Sequence, residues 1–159
     1  MTNFYLGLHR GPIDHQSSSV INSISNEALD MGASLVLIAP PASELLPRVE
    51  NADAITEIGY GIAVGGDTDG VYGDGSASSD DSTRATAGAG QGVVVVTQGR
   101  CPAKVTGDIS IGDRLAVSAT GTLQVAVSTQ MVLAIALQAT GGVGDHIIAV
   151  DVQRQEIVA

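Results

Sequence analysis

Hydrophobic residues alternate with small or polar residues along positions 108–126 of the chain. The alternating positions are held by three pairs: Ile109 and Ile111, Leu115 and Val117, and Leu123 and Val125. Turn-forming residues, Gly112-Asp113 and Thr120-Gly121, separate the pairs. A period of two is typical of strands that bury one face. The segment therefore predicts short strands joined by tight turns.

The same order of elements occurs a second time, earlier in the chain. Three segments of the first copy align with three of the second: 31–37 with 111–117, 62–64 with 135–137, and 92–96 with 145–150. The first pair shares the pattern apolar-Gly-x-x-Leu-x-apolar. Because register, turns and pattern must all agree for such an order to recur, the repeat is stronger evidence than any single strand. We predict an all-β domain built from two similar halves.

The serine-rich segment 17–29 has two interpretations. Val20, Ile24 and Ala28 have the fourfold spacing of a short helix, but the segment also fits two short strands. Serine at this density disfavours a helix interior, and the repeat places a strand at the equivalent position. We therefore favour strands.

The first twenty residues carry apolar side chains without a strand period. Phe4, Tyr5, Leu6 and Leu8 lie there, ahead of Gly11-Pro12. The segment is either a tail that covers one end of the core or an arm that docks on a neighbouring chain, where aromatic residues are good anchors. His9 and His15 are too widely spaced for a metal pair, so we expect loop histidines. The predicted organisation is an N-terminal arm at 1–20 and a single β domain at 21–159.

Residues 65–91 consist almost entirely of Gly, Ser, Thr, Asp and Ala, and the second copy spans the same gap with little more than residues 140–144. Such a segment buries little apolar surface, which predicts a long acidic surface loop. Asp67, Asp69 and Asp74 are weak candidates for calcium ligands, since closely spaced carboxylates collect hard cations. The closing Glu and flanking helices of an EF-hand are missing. The sequence therefore favours a solvated loop, and we expect no metal site.

Composition limits the possible functions of this 159-residue chain. Aromatic residues make up 3% of the chain and Trp is absent, so Val, Ile, Leu and Ala must fill the core. The formal net charge of −10 opposes binding to nucleic acid or to an anionic membrane. No apolar run reaches the roughly 20 residues of a membrane span, and no signal peptide pattern opens the sequence. We expect a soluble protein made in the cytoplasm.

Reactive side chains are scarce. Cys101 is the single cysteine, which excludes a disulfide framework, and Cys101-Pro102 suggests a small apolar filler at a turn. Asp145 and His146 are adjacent on a predicted strand, so their side chains should point to opposite faces. Lys104, the only lysine, does not lie in the hairpin-tip context of a biotinyl or lipoyl carrier. We predict no catalytic residues and no cofactor, and we class the chain as a non-enzyme.

Several segments together resemble the small capsid decoration, or cement, proteins of tailed phages. They are residues 92–105, 111–115, 121–123 and 133–139, with 58–63 matching the Gly-Val-Ala strand of that family. The resemblance spans about residues 30–152 and departs at the N-terminus and at the acidic insertion. It implies a compact β-barrel or β-clip-like subunit, usually a homotrimer, that binds the outer surface of the mature lattice of the major capsid protein and stabilises the head.

This resemblance also gives the arm a role. Phe4, Tyr5, Leu6 and Leu8 would grip the capsid or a neighbouring cement subunit, and the acidic insertion would face solvent at the virion exterior. The alternative is a trimeric tail-fibre or receptor-binding-associated β module, in which the insertion would be the working surface. Copy number separates the two, since cement proteins occur in hundreds of copies and fibre modules in few.

Overall fold

The computed structural model describes residues 19–66 and 85–153 of the chain. Their regular elements are eleven strands: β1 (Ser19–Ser25), β2 (Leu29–Asp30), β3 (Ser34–Ile38), β4 (Arg48–Asn51), β5 (Gly59–Gly66), β6 (Ala85–Ala87), β7 (Gly92–Thr106), β8 (Arg114–Val117), β9 (Leu123–Val125), β10 (Ala134–Ala136) and β11 (Asp145–Val152). Within these two ranges there is no helix that could cross a membrane. The all-β prediction is confirmed.

Five strands of the first half close into a barrel. Strand β1 pairs in parallel with β4, and antiparallel pairs then connect β4 to β3, β3 to β5, and β5 to the first part of β7. The first part of β7 returns to β1 in an antiparallel pair, which completes the ring. Closure leaves no free sheet edge within the ring.

The second half forms a ring of the same kind. The later part of β7 pairs antiparallel with β11, and the ring continues through β10 and β8 to β9. Strand β9 closes it by a parallel pair with β7 at Leu123 and Val105. The 15-residue β7 therefore belongs to both barrels and joins them.

The two barrels have identical connectivity. Strands β1, β3, β4, β5 and the first part of β7 correspond in order to the later part of β7, β8, β9, β10 and β11. Each ring has its single parallel pair at the same place, β1 with β4 and β7 with β9. This confirms the prediction of two similar halves and resolves it into two closed barrels.

The repeated glycine opens an identical turn in each half. Gly32 and Gly112 both have positive φ, +82° and +89°, which glycine adopts without steric cost. Each turn makes the same three backbone hydrogen bonds. In the first half, Ala33 N donates to Asp30 O, Gly32 N to Ala63 O, and Ala63 N to Ala33 O. In the second half, Asp113 N donates to Ser110 O, Gly112 N to Ala136 O, and Ala136 N to Asp113 O. The turn ties the start of one strand, β3 or β8, to its neighbour, β5 or β10.

The core consists mainly of aliphatic residues, as the composition predicts. One buried cluster lies in the first barrel: Leu29, Ala33, Leu35, Val49, Tyr60, Ala63, Val93 and Val95. A second cluster fills the other barrel and includes Leu115, Leu123 and Val150, together with residues of the first barrel such as Ile62. Leu35 and Leu115, which the repeat aligns, are both fully buried.

One predicted strand is wrong. Residues 109–111 are not in a strand, because β8 begins only at Arg114. Gly107 and Gly112 have positive φ and turn the backbone away from the extended conformation, and the Asp113 carboxylate accepts a hydrogen bond from the Ser110 amide. Ile109 is buried while Ile111 is exposed, so the alternation there reflects a turn with one inward side chain.

The strand interpretation of 17–29 is confirmed by β1 and β2. The loop predicted at 65–91 is too wide, because β5 continues to Gly66 and β6 pairs with β2. β1 begins at Ser19, two residues inside the segment assigned to the arm. Residues 1–18, 67–84 and 154–159 lie outside the described residues.

Candidate interaction surface

The two barrels meet where the turn after β8 contacts the first barrel. The Ser34 amide donates to Gly121 O at 2.9 Å, and the Gly121 amide donates to Ala52 O at 2.9 Å. The buried Ser34 hydroxyl also donates to Thr122 O at 3.0 Å. These bonds attach residues 118–122 to the start of β3 and the end of β4. We call this contact the junction.

Close packing at the junction depends on Gly59. An added Cβ there would lie 2.7 Å from Leu133 Cδ2 and 2.9 Å from Val117 Cγ1, well inside van der Waals contact. Because Gly59 belongs to the first barrel and the other two residues to the second, the missing side chain lets the barrels approach. The sequence reveals a glycine here but not what it faces.

A charge pair crosses the junction on its other side. Lys104 Nζ donates to Asp30 Oδ2 at 2.7 Å, and the Lys104 amide donates to Gly32 O at 2.8 Å. The lysine side chain is largely buried, whereas the carboxylate is more exposed. The only lysine of the chain therefore fastens the later part of β7 to the turn before β3.

The groove along the junction carries several charged side chains. A cavity of about 450 Å³ is lined by Glu27, Asp30, Asp53, Lys104, Asp145 and His146, among others. Asp145 and His146 begin β11, opposite Thr106 and Val105, and both residues line this cavity although they occupy adjacent strand positions. Within residues 19–66 and 85–153, no group of three or more His, Cys, Asp or Glu side chains is placed to hold a metal ion.

Cys101 lies inside β7, opposite Val150, and not at a turn as the sequence suggested. Its thiol is buried, and burial raises the pKa of that thiol well above its usual range, with the charge of Asp151 adding to the effect. A thiol held protonated in this way is a poor nucleophile. The prediction of a small apolar filler therefore holds for its packing, although the turn placement is wrong.

This burial predicts a pH dependence of stability. The folded state keeps Cys101 protonated, whereas the unfolded chain releases the proton above about pH 8.5. The stabilisation is therefore complete below that pH and decreases as pH rises further, by about 1.4 kcal/mol per pH unit. Urea unfolding between about pH 7 and pH 10 should show a steeper loss for the native protein than for Cys101→Ala. Equal slopes in the two proteins would contradict this assignment.

Both barrels carry exposed apolar side chains. The first barrel exposes Leu37, Leu45 and Leu46, and the second exposes Ile111, Leu137 and Val143. Ile55, Ile58, Val125 and Val127 are also exposed, and the Gln130 side chain donates to Ile55 O and accepts from the Val127 amide. Single exposed apolar residues are common on proteins, so exposure alone does not indicate a binding surface. The rigidity of the loop that carries them is the more informative property.

The loop between β3 and β4 holds its leucines in a constrained frame. Arg48 Nε and Nη2 donate to the two carboxylate oxygens of Glu44 at 2.9 and 3.0 Å, a bidentate pair. Arg48 Nη1 also donates to Asn26 Oδ1 at 3.3 Å. Leu45, between these anchors, is 99% exposed. A fully exposed leucine on a braced loop is suited to contact a partner, because little conformational entropy is lost when it binds.

The residues predicted from sequence for binding are not among these. Phe4, Tyr5, Leu6 and Leu8 of the arm, and Asp67, Asp69 and Asp74 of the insertion, lie outside the described residues. Sequence reasoning missed Leu45 and Leu46, although a leucine pair within the proline-rich loop between two strands is a visible signal. Exposure of Ile111 has no local signal, because its alternating pattern matches that of a buried strand position.

Comparisons with known proteins are informative at the level of fold. No protein-family model matches the chain, and no curated protein matches its sequence. Among solved structures, the fold is similar to the crystal structure of the N base of head fiber gp8.5 of bacteriophage phi29, with a TM-score of 0.51. The two chains are 11% identical, and the match covers 87% of this chain and 98% of the other. This likeness shows a shared fold.

Proposed function

We propose that the chain is a non-enzymatic structural protein of a bacteriophage virion, a decoration protein that binds the exterior of the head. The observation that carries the proposal is the shared all-β fold over nearly the whole of a phage head fiber base. The sequence resemblance to tailed-phage cement proteins supports the same location. The partner would be the mature lattice of the major capsid protein, and the subunits would form a trimer.

The structure offers what such a role requires. Two closed barrels sharing β7 form a compact unit without free edges within the rings, so adhesion must come from side chains at loops and barrel faces. Binding to the mature lattice alone would stabilise that lattice by mass action, without chemistry. The net charge of −10 repels DNA, so contact with the packaged genome is unfavourable. This agrees with an outer position on a head.

A second candidate function is that of a head-fibre base, and it is favoured because the structural neighbour is itself the base of a head fiber. In that case the chain would anchor a longer assembly at few positions on the head. The same barrels would serve as the attachment, and the outward surface would carry the rest of the fibre. Copy number per particle is the quantity that distinguishes these two roles.

Cryo-electron microscopy of the virions that contain this chain, with quantitative mass spectrometry of the particles, tests the proposal. A decoration role requires ordered density on the outer head surface and hundreds of copies. A fibre base requires density at a few positions and a correspondingly low copy number. Absence of the chain from purified virions, or its presence only in tails, would contradict both roles.

The arm provides a mutational test of capsid binding. Replacing Phe4, Tyr5, Leu6 and Leu8 together with serine should reduce occupancy on expanded capsids, because apolar anchors commonly contribute several kcal/mol to an interface. A loss of more than about tenfold in affinity is expected from removing at least one such anchor. Co-sedimentation with capsids measures it.

The matched control replaces polar residues of the same segment, Thr2→Ala and Asn3→Ala. This double variant should bind as the native protein does. Unchanged occupancy of the serine variant would show that the arm is not the capsid-binding element, and attention would then move to Leu45 and Leu46.

A further inference from the structure

Because the chain is duplicated, each barrel carries a version of both surfaces that meet at the junction. At the junction the two barrels contribute different surfaces. The second barrel contributes the end of β8 and the turn at 118–122, which we call the plug. The first barrel contributes the turn at Gly32, the start of β3 and the outer side of β5, which we call the socket. Because the barrels have the same connectivity, each possesses a version of both surfaces, and one plug and one socket remain unused.

Burial at equivalent positions shows this asymmetry. In the used socket Met31 is 2% exposed, whereas its counterpart in the second barrel, Ile111, is 72% exposed. Val64 and its counterpart Leu137 are 4% and 36% exposed. Ala116, the counterpart of Val36, is 1% exposed, so the uncovered part of this surface is the part that contains Ile111 and Leu137. The second barrel therefore presents an uncovered apolar socket.

The plug shows the same asymmetry in the opposite barrel. Val117 at the end of β8 is 1% exposed, and its counterpart Leu37 in the first barrel is 51% exposed. The turn at 118–122 corresponds to the loop at 39–47, which is longer and carries Leu45 and Leu46. The first barrel thus ends in an uncovered plug whose apolar residues match an apolar socket.

We propose that copies of this chain associate head to tail, with Leu37, Leu45 and Leu46 of one copy docking on Ile111 and Leu137 of the next. This contact between two molecules would have the same arrangement as the junction within one molecule. Contacts between different patches generate a closed ring when the rotation between copies closes and an open series when it does not. The proposal rests on the proposed function only in that a ring of three would be the proposed trimer.

Charge determines the conditions under which this contact forms. Each copy carries a formal charge of −10, so neighbouring copies repel at low ionic strength. Salt screens that repulsion while leaving the burial of apolar surface intact. Association should therefore strengthen with added salt, which is the opposite of a contact held by ion pairs.

The test is self-association of the full chain, measured by analytical ultracentrifugation at low and high salt. The native protein should form oligomers that increase with salt. Leu45→Glu and Ile111→Glu should each weaken association by at least about tenfold, as expected for a charge placed in an apolar contact. Val143→Glu is the matched control, because Val143 is also apolar and exposed but lies between β10 and β11, outside the residues of the plug and the socket.

Mixing the two variants provides the sharpest outcome. Leu45→Glu retains an intact socket and Ile111→Glu an intact plug, so a mixture should form a heterodimer that neither variant forms alone. A symmetric contact of one patch with itself would give no such recovery. A monomeric native protein at high salt, full association of either variant, or no recovery in the mixture would overturn the proposal. Because no capsid is present, this result is independent of capsid binding.

Discussion

Replacing Leu115 with alanine should lower the free energy of unfolding by about 2–5 kcal/mol. Leu115 is fully buried in the second barrel, and its backbone carbonyl accepts the Leu133 amide at 2.8 Å. Removing its side chain leaves a cavity in a core of aliphatic residues that have little freedom to collapse, since the closed ring of strands fixes their backbones. Urea denaturation followed by circular dichroism measures the change.

The duplication supplies an internal comparison for this prediction. Leu35→Ala removes the equivalent fully buried side chain from the first barrel and should have a similar cost. Because β7 belongs to both rings and one buried cluster spans both barrels, each variant should unfold in a single transition. Ile111→Ala, at an exposed position, should change stability by no more than about 0.5 kcal/mol. Two separate transitions, or a small effect of Leu115→Ala, would contradict this account.

Replacing Gly61 with alanine should cost about 1–3 kcal/mol, although alanine is normally tolerated in a strand. Gly61 lies in β5 between β3 and β7, and an added Cβ would be 2.5 Å from Val96 O and 2.6 Å from Val95 Cγ1. Backbone oxygen in the neighbouring strand cannot move away without disturbing the ladder between β5 and β7. Thermal and urea unfolding measure the loss.

Gly59→Ala is the matched comparison. It lies two residues earlier, and the three atoms nearest to its added Cβ all belong to the side chains of Leu133 and Val117. Side chains can change rotamer more readily than a strand can shift, so its cost should be smaller than that of Gly61→Ala. A larger effect at Gly59 would show that the junction tolerates less adjustment than the sheet.

The proposed adhesive role and the structural duplication are connected. A barrel that docks on a copy of itself within one chain already has complementary surfaces, and the free plug and socket extend that complementarity outward. An adhesive lattice protein gains from this arrangement, because weak contacts between many bound copies add to the contacts with the shell. Neither contact needs a reactive group, which fits a chain whose buried cysteine is kept protonated.

Sequence patterns predicted the structure best where the conformation of a short segment also suits its place in the fold. The repeat around Gly32 and Gly112 predicted both the two halves and the turn positions. A glycine with positive φ and a leucine three residues later lie within one short segment, so the sequence shows them directly. Alternation misled at Ile109 and Ile111, since a turn with one inward side chain has the same apolar spacing as a strand. The bounds of the loop after Val64 were too wide because β6 is short and gains its pairing from distant β2.

The sequence by itself determined an all-β chain in two similar halves, with a mainly aliphatic core. Period, turn glycines and composition act over a few residues, so they can be read without a structure. Only the tertiary structure decided that the halves close into two barrels sharing β7, that Gly59 and Gly61 permit close approaches, and that Met31 is covered while Ile111 is not. Those outcomes depend on which surfaces, distant in the sequence, meet in the fold. Equivalent residues of the two halves differ in burial because only one end of each barrel contacts the other barrel.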